Sequence, residues 1–109
     1  MKNYEDMSDF EINKAVALIV GVTFNDDGEP VRFVECDTGA YADFNEIEFD
    51  PCNNPSDAWP IIVDNKISLT CHHSRGEWSA VFNAENICFH ANNPLRAAMI
   101  VFLKMNEDK

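Results

Sequence analysis

The stretch Asn92-Asn93-Pro94-Leu95-Arg96-Ala97-Ala98-Met99-Ile100-Val101-Phe102-Leu103-Lys104-Met105 sets the architecture of the chain. Asn-Asn-Pro is a helix-start signal. An asparagine amide caps unpaired N–H groups, and proline suits the first helical position, where a donor would have no partner. The helix predicted from 94 to about 105 carries Leu95, Ala98, Met99, Phe102 and Met105 as one stripe. Ala97, Ile100, Val101 and Leu103 make most of its remaining surface apolar, and its only charges are Arg96 and Lys104. A helix that is apolar nearly all round is covered on more than one side. Either it is sandwiched within the domain, or its outer face meets a second chain. A homodimer through this helix is therefore one expectation.

The same signal recurs at Asn53-Asn54-Pro55-Ser56-Asp57, opening a short helix through Trp59 and Ile62 that ends near Asn65. Pro60 fits that helix best if Ser56 is the cap, since it then lies among the first-turn donors that lack partners. A third helix begins at Ser8, which forms an S-x-x-E capping box with Glu11; Met7 and Ile12 occupy the staple positions around it. Its expected buried stripe is Ile12, Ala15, Val16 and Ile19, and Gly21 stops it. From about Val20 the pattern becomes β, with Val20, Val22 and Phe24 alternating before the turn Asn25-Asp26-Asp27-Gly28 and a return strand over 31–36. Thr38-Gly39 turns the chain again, and a short strand is expected from Tyr41 onward. Segments 67–73 and 77–82 read as a hairpin around Ser74-Arg75-Gly76, with 87–90 as a further strand. The prediction is one α+β domain over residues 1–109, a small two-layer or α/β/α sandwich. Its antiparallel sheet would hold about 4–5 strands, beside an N-terminal helix, a short middle helix and a C-terminal helix.

Composition narrows the function. With 46% apolar residues and twelve aromatics among 109, the chain is a globular sequence with a real core. Nineteen acids against eight bases give a net charge of −11, a field that repels phosphate backbones and disfavours nucleic acid as a partner. That charge serves solubility, or it forms an acidic face for a basic partner, as a DNA mimic would need. The acids are dispersed except over 43–50, where Asp43, Glu46, Glu48 and Asp50 alternate with Phe44, Ile47 and Phe49. No apolar run reaches the ~18 residues of a membrane span, and no export signal is visible. Cys36, Cys52, Cys71 and Cys88 are accordingly expected reduced in a cytoplasm.

Several constellations are candidates for chemistry. Cys71 with His73 and Cys88 with His90 are two C-x-H pairs whose members share a strand face, a conceivable zinc set. Splayed strand positions are poor metal geometry, however, and cysteine is also simply a good buried residue, so neither metal nor cofactor is expected. Cys52, just before a helix start, is the one candidate nucleophile, with packing as the plainer reading. No catalytic fingerprint is present, and the chain is not expected to be an enzyme. A binding set is better represented: Asn53, Asn54, Ser56, Asp57, Trp59, Arg75, Trp78 and Arg96 offer amides, rings, cations and helix N-termini to an anionic ligand. Arg96 sits in a first helical turn, where the dipole disfavours a cation, so it is expected to pair with a carboxylate or to hold a ligand.

Three blocks, 7–13 with 15–17, Asp50-Pro51-Cys52-Asn53-Asn54-Pro55-Ser56-Asp57-Ala58-Trp59-Pro60-Ile61-Ile62, and 93–99, together resemble the NinX proteins of lambdoid bacteriophages. The resemblance spans nearly the whole chain. It implies an accessory early phage product in the bacterial host cytoplasm and supplies no catalytic residue. Two functions follow as expectations. The first is a non-enzymatic binding module acting on a host factor, sequestering a small nucleotide-like ligand of host defence. The second is an acidic protein-interaction inhibitor or DNA mimic directed at a basic host protein.

Overall fold

A computed structural model describes residues 4–37, 42–72 and 74–107, with the side chains of 34–37 and 42–44 outside the description. Thr38, Gly39, Tyr41 and His73 therefore lie outside the described residues, as do the side chains of Cys36 and Asp43. Among the described residues the chain forms three α-helices and two three-stranded antiparallel sheets.

Helix α1 (Asp9–Val20) starts as its capping box dictates: the Ser8 hydroxyl accepts the Glu11 N–H at 3.1 Å and the Glu11 carboxylate accepts the Ser8 N–H at 3.4 Å. Gly21, at φ 85°, ends it, with the Val22 N–H reaching back to the Ala17 carbonyl at 3.0 Å. The helix runs through Val20, so β1 is only Thr23–Phe24, shorter than the alternation 20–24 suggested. Its buried face is Ile12, Asn13, Val16 and Ala17, rotated from the expected stripe; Ile19 is 44% exposed. The rotation brings a polar residue, Asn13, to the inside, where Asp50 and the Cys52 N–H are its partners.

Strand β2 (Pro30–Asp37) pairs with β1 across the Asn25–Gly28 turn and with β3 (Ala42–Glu48), giving the first sheet in the order β1-β2-β3. Its base is buried at Val31, Phe49 packs beside it, and further along Phe33 is 55% exposed. The second sheet is β4 (Ser68–His72), β5 (Glu77–Phe82) and β6 (Ile87–Ala91), in that order. The single sheet of about 4–5 strands is thus corrected to two sheets of three. Each is a meander of sequence neighbours, and α2 intervenes between them along the chain.

Helix α2 (Pro55–Asp64) is capped by Asn54, whose side chain accepts the Ser56 N–H at 3.0 Å, and not by Ser56. Pro60 consequently lies inside the helix. It is exposed, as is Ser56, whose carbonyl would have received the missing N–H and can face water instead. Lys66, just past the end, takes the left-handed conformation at φ 54° and lets the Ile67 N–H bond the Ile62 carbonyl at 3.0 Å.

Helix α3 (Pro94–Met105) is the centre. Asn93 caps it, and every residue from Ala97 to Leu103 is buried. The second sheet covers one side through Ala80, Phe82, Ile87 and Phe89, while α1 and α2 cover the other. The apolar surface that suggested a second chain is covered by this one.

Candidate functional site

The signature residues converge on a polar clasp between α1, the 50–54 turn and α3. Asn13 is 2% exposed; its Nδ2 donates to Asp50 Oδ1 at 2.6 Å and its Oδ1 accepts the Cys52 N–H at 3.0 Å. Asn53 donates to Asp9 Oδ2 at 3.1 Å and to the Asp50 carboxylate at 3.2 Å. Asn93 caps α3 with its oxygen, accepting the Leu95 N–H at 2.9 Å, while its Nδ2 donates to the Cys52 carbonyl at 2.6 Å. Arg96 completes the clasp: Nη1 lies 2.6 Å from Asp9 Oδ1, and Nη2 donates to the carbonyls of Met7 at 2.6 Å and Tyr4 at 3.2 Å. An arginine at a helix start is unfavourable against the dipole; here the Asp9 carboxylate and two carbonyls offset it.

A second polar joint ties the first sheet to α2. Asp57 is buried, its Oδ2 accepts the Asp50 N–H at 3.0 Å, and its Oδ1 lies 2.7 Å from Arg32 Nε. That last contact is ionic without an in-line N–H, for Arg32 Nε makes no well-aligned hydrogen bond. Both joints are first of all structural, since a buried polar group must have a partner.

The eight residues expected to bind a ligand are distributed over four places. Asn53 and Arg96 belong to the clasp; Asn54, Ser56 and Asp57 form the start of α2; Trp59 stands on the outer face of α2, 59% exposed; Arg75 and Trp78 belong to the second sheet and its turn. Arg75 is exposed, and Trp78 is half-buried between Cys71 and Ala91.

The cysteines read differently in three dimensions. Cys71 pairs with Trp78, whereas Cys88 pairs with Val81, and positions 78 and 81 point to opposite faces of β5. In the conceivable set Cys71, His73, Cys88 and His90, Cys71 and Cys88 therefore do not face one ion across β5, and His73 lies outside the described residues. No cluster of three or more metal-ligating groups occurs among the described residues. Cys52 is fully buried. Burial first, then the Asp9 and Asp50 carboxylates against a lowering by Arg96, push its thiol up to about 12, the reverse of an activated thiolate.

Two features were not anticipated. On the outer face of the second sheet, His72 Nε2 lies 2.9 Å from the buried Ser79 hydroxyl, and the His72 and His90 rings are 5.7 Å apart. The signal available was register alone: 72, 79 and 90 share a face once the two hairpins are aligned. The other feature is a groove of about 490 Å³ between α1 and α3. Ala15, Leu18 and Ile19 line one side, Leu103 the other, and Tyr4 and Met7 lie alongside. Tyr4 donates its hydroxyl to Glu107 at 2.6 Å; burial and that bond raise the phenol well above its ordinary value. Of the dense acidic stretch, Glu46 and Glu48 are exposed while Asp50 is turned into the clasp.

These features define a small acidic α+β domain whose sequence signature is mainly the fastening of its three helices. Residues 3–106 match the protein family described as Bacteriophage P22, NinX, and the chain belongs to that family. No curated protein matches it. Among the described residues no helix is long and apolar enough to cross a membrane.

Proposed function

We propose that this phage accessory protein is a non-enzymatic binding module that acts in the host cytoplasm on a basic host protein. The observation that carries this reading is the pairing of exposed apolar side chains with strong negative charge. Leu18 is 69% exposed and Trp59 59%, on a chain of net charge −11. Apolar anchors within an acidic surface suit a partner that is itself amphipathic and basic. The competing reading, sequestration of a nucleotide-like ligand, needs a cation for the phosphate, and Arg96 already has the Asp9 carboxylate and two carbonyls as partners. The exposed ring of Trp59 keeps that second reading in view, since it offers a stacking face. The test is capture of host protein by the tagged chain over a salt series, beside thermal shift against nucleotides. Capture that fades with salt, without a nucleotide shift, supports the proposal. A nucleotide shift without capture overturns it.

A further inference from the structure

We infer that the α1/α3 groove is a docking site for a basic amphipathic helix of a partner protein; this rests on the reading of the chain as a protein-binding module. The groove is open and its α1 wall is apolar, with Ala15 half-buried and Leu18 and Ile19 exposed, while Tyr4, Asn106 and Glu107 add polar groups to the lining. A concave apolar strip of this kind takes the apolar face of a helix, whose anchors recur every three or four residues. Its volume of about 490 Å³ is that of a ligand-sized pocket and suits a few aliphatic side chains.

Charge chooses among occupants. Both helices bring their C-terminal ends to the groove, α1 through Leu18 and Ile19, α3 through Leu103, Asn106 and Glu107. Each such end carries about half a negative charge. The last turn of α1 holds no basic residue, and the one on α3, Lys104, lies over the Phe89 ring at 5.1 Å, on the sheet side. Glu107 is the only ionised group among the lining residues, and exposed Glu5 adjoins Tyr4. The groove is thus apolar along Ala15, Leu18, Ile19 and Leu103 and negative at Glu107. A second copy of this chain would bring its own negative charge to that end, so the complementary occupant has aliphatic anchors followed by lysine or arginine.

The experiment uses the whole chain and a fluorescent amphipathic Leu/Lys peptide of roughly five helical turns, with a scrambled peptide of the same composition as control. Fluorescence anisotropy should give saturable 1:1 binding that is at least about tenfold weaker for the scrambled peptide, a gap of about 1.4 kcal/mol. Leu18→Ser combined with Ile19→Ser, which changes no charge, should weaken binding by a similar factor. Glu107→Gln should weaken it a few-fold and flatten its salt dependence. Equal binding of the scrambled peptide, or indifference to the Leu18/Ile19 pair, overturns the groove. So does a dimer in sedimentation that the Leu18/Ile19 pair abolishes, because the occupant is then a second copy. If the groove fails while salt-sensitive capture of a purified host protein persists, the docking proposal falls alone; if neither is bound at low salt, both fall.

Discussion

Arg96 and Asp9, 87 residues apart in the chain, meet at 2.6 Å and fasten the first turn of α3 to the first turn of α1. The pair is asymmetric: the Arg96 side chain is 19% exposed and that of Asp9 42%. Removing the arginine therefore takes a donor from two backbone carbonyls as well as from a carboxylate, whereas changing the aspartate leaves groups that water can reach. Arg96→Ala should cost about 2–4 kcal/mol in urea unfolding, and Asp9→Asn about 1 or less. Arg96→Lys should recover little of this, since an ammonium cannot fork to three acceptors. Equal costs for Arg96→Ala and Asp9→Asn would show that the carbonyl contacts contribute nothing.

Asn13 is the buried centre of the same clasp, donating a hydrogen bond to Asp50 and accepting one from the Cys52 N–H. Asn13→Leu matches its size but leaves the buried Cys52 N–H without its acceptor and takes one donor from Asp50, which keeps Asn53, at a cost of about 2–4 kcal/mol. Ser8→Ala at the exposed capping box of the same helix should cost only about 1 kcal/mol. Chemical denaturation of the two variants side by side checks the order.

What sequence conveyed about this fold was the local part. Caps at Ser8 and Asn93, the Asn-Asn-Pro start of α2, the stop at Gly21 and the apolar surface of α3 depend on neighbours within a few residues, so their chemistry is written in place, although the α2 cap fell on Asn54 and not on Ser56. The oddity of Arg96 was also legible as a cation at the wrong helix end, but its answer lay in α1. Asn13 interrupts the apolar stripe of α1, and only the Asp50–Cys52 backbone, folded against it, explains why. The division into two sheets, the opposite faces of Cys71 and Cys88, and the α1/α3 groove all follow from how elements dock. Local pattern does not encode that.

Lys66 holds φ 54° at the end of α2, a conformation that costs an ordinary L-residue about 1 kcal/mol and glycine almost nothing. Its side chain is exposed. Lys66→Gly should therefore raise the unfolding midpoint slightly, with a gain of up to about 0.5 kcal/mol after the extra freedom of glycine in the unfolded chain is subtracted. A loss of stability would mean that the lysine stem packs usefully.

Alkaline pH should loosen the fold in a definite window. The buried Cys52 thiol is raised to about 12, so the folded state holds this proton more firmly than the unfolded chain. Its contribution is complete below the ordinary thiol value near 8.5 and is lost as pH rises toward about 12. Tyr4 is raised in the same sense and adds to the slope at the upper end. Unfolding free energies from urea titrations should fall from about pH 9 upward, by at most about 1.4 kcal/mol per pH unit per group. Cys52→Ala should lower stability at pH 7 yet flatten that slope, and Cys52 should resist alkylation in the native protein while exposed Cys88 reacts.

Trp59 and Asn54 sit five residues apart in the same signature, and the structure gives them opposite duties. Asn54 caps α2 by accepting the Ser56 N–H, so Asn54→Ala should cost about 1 kcal/mol of stability. Trp59 projects from the outer face of that helix beside exposed Val63, so Trp59→Ala should change stability by less than about 1 kcal/mol. If the ring serves binding, the same Trp59→Ala chain should lose affinity for its target while folding normally. The target it then fails to hold is informative: loss of a host protein places Trp59 in the protein-binding surface, whereas loss of a nucleotide-induced thermal shift would restore the stacking role. A Trp59→Ala chain that unfolds, or that binds everything as before, removes Trp59 from the functional surface and leaves the α1 residues Leu18 and Ile19 as the anchors to examine.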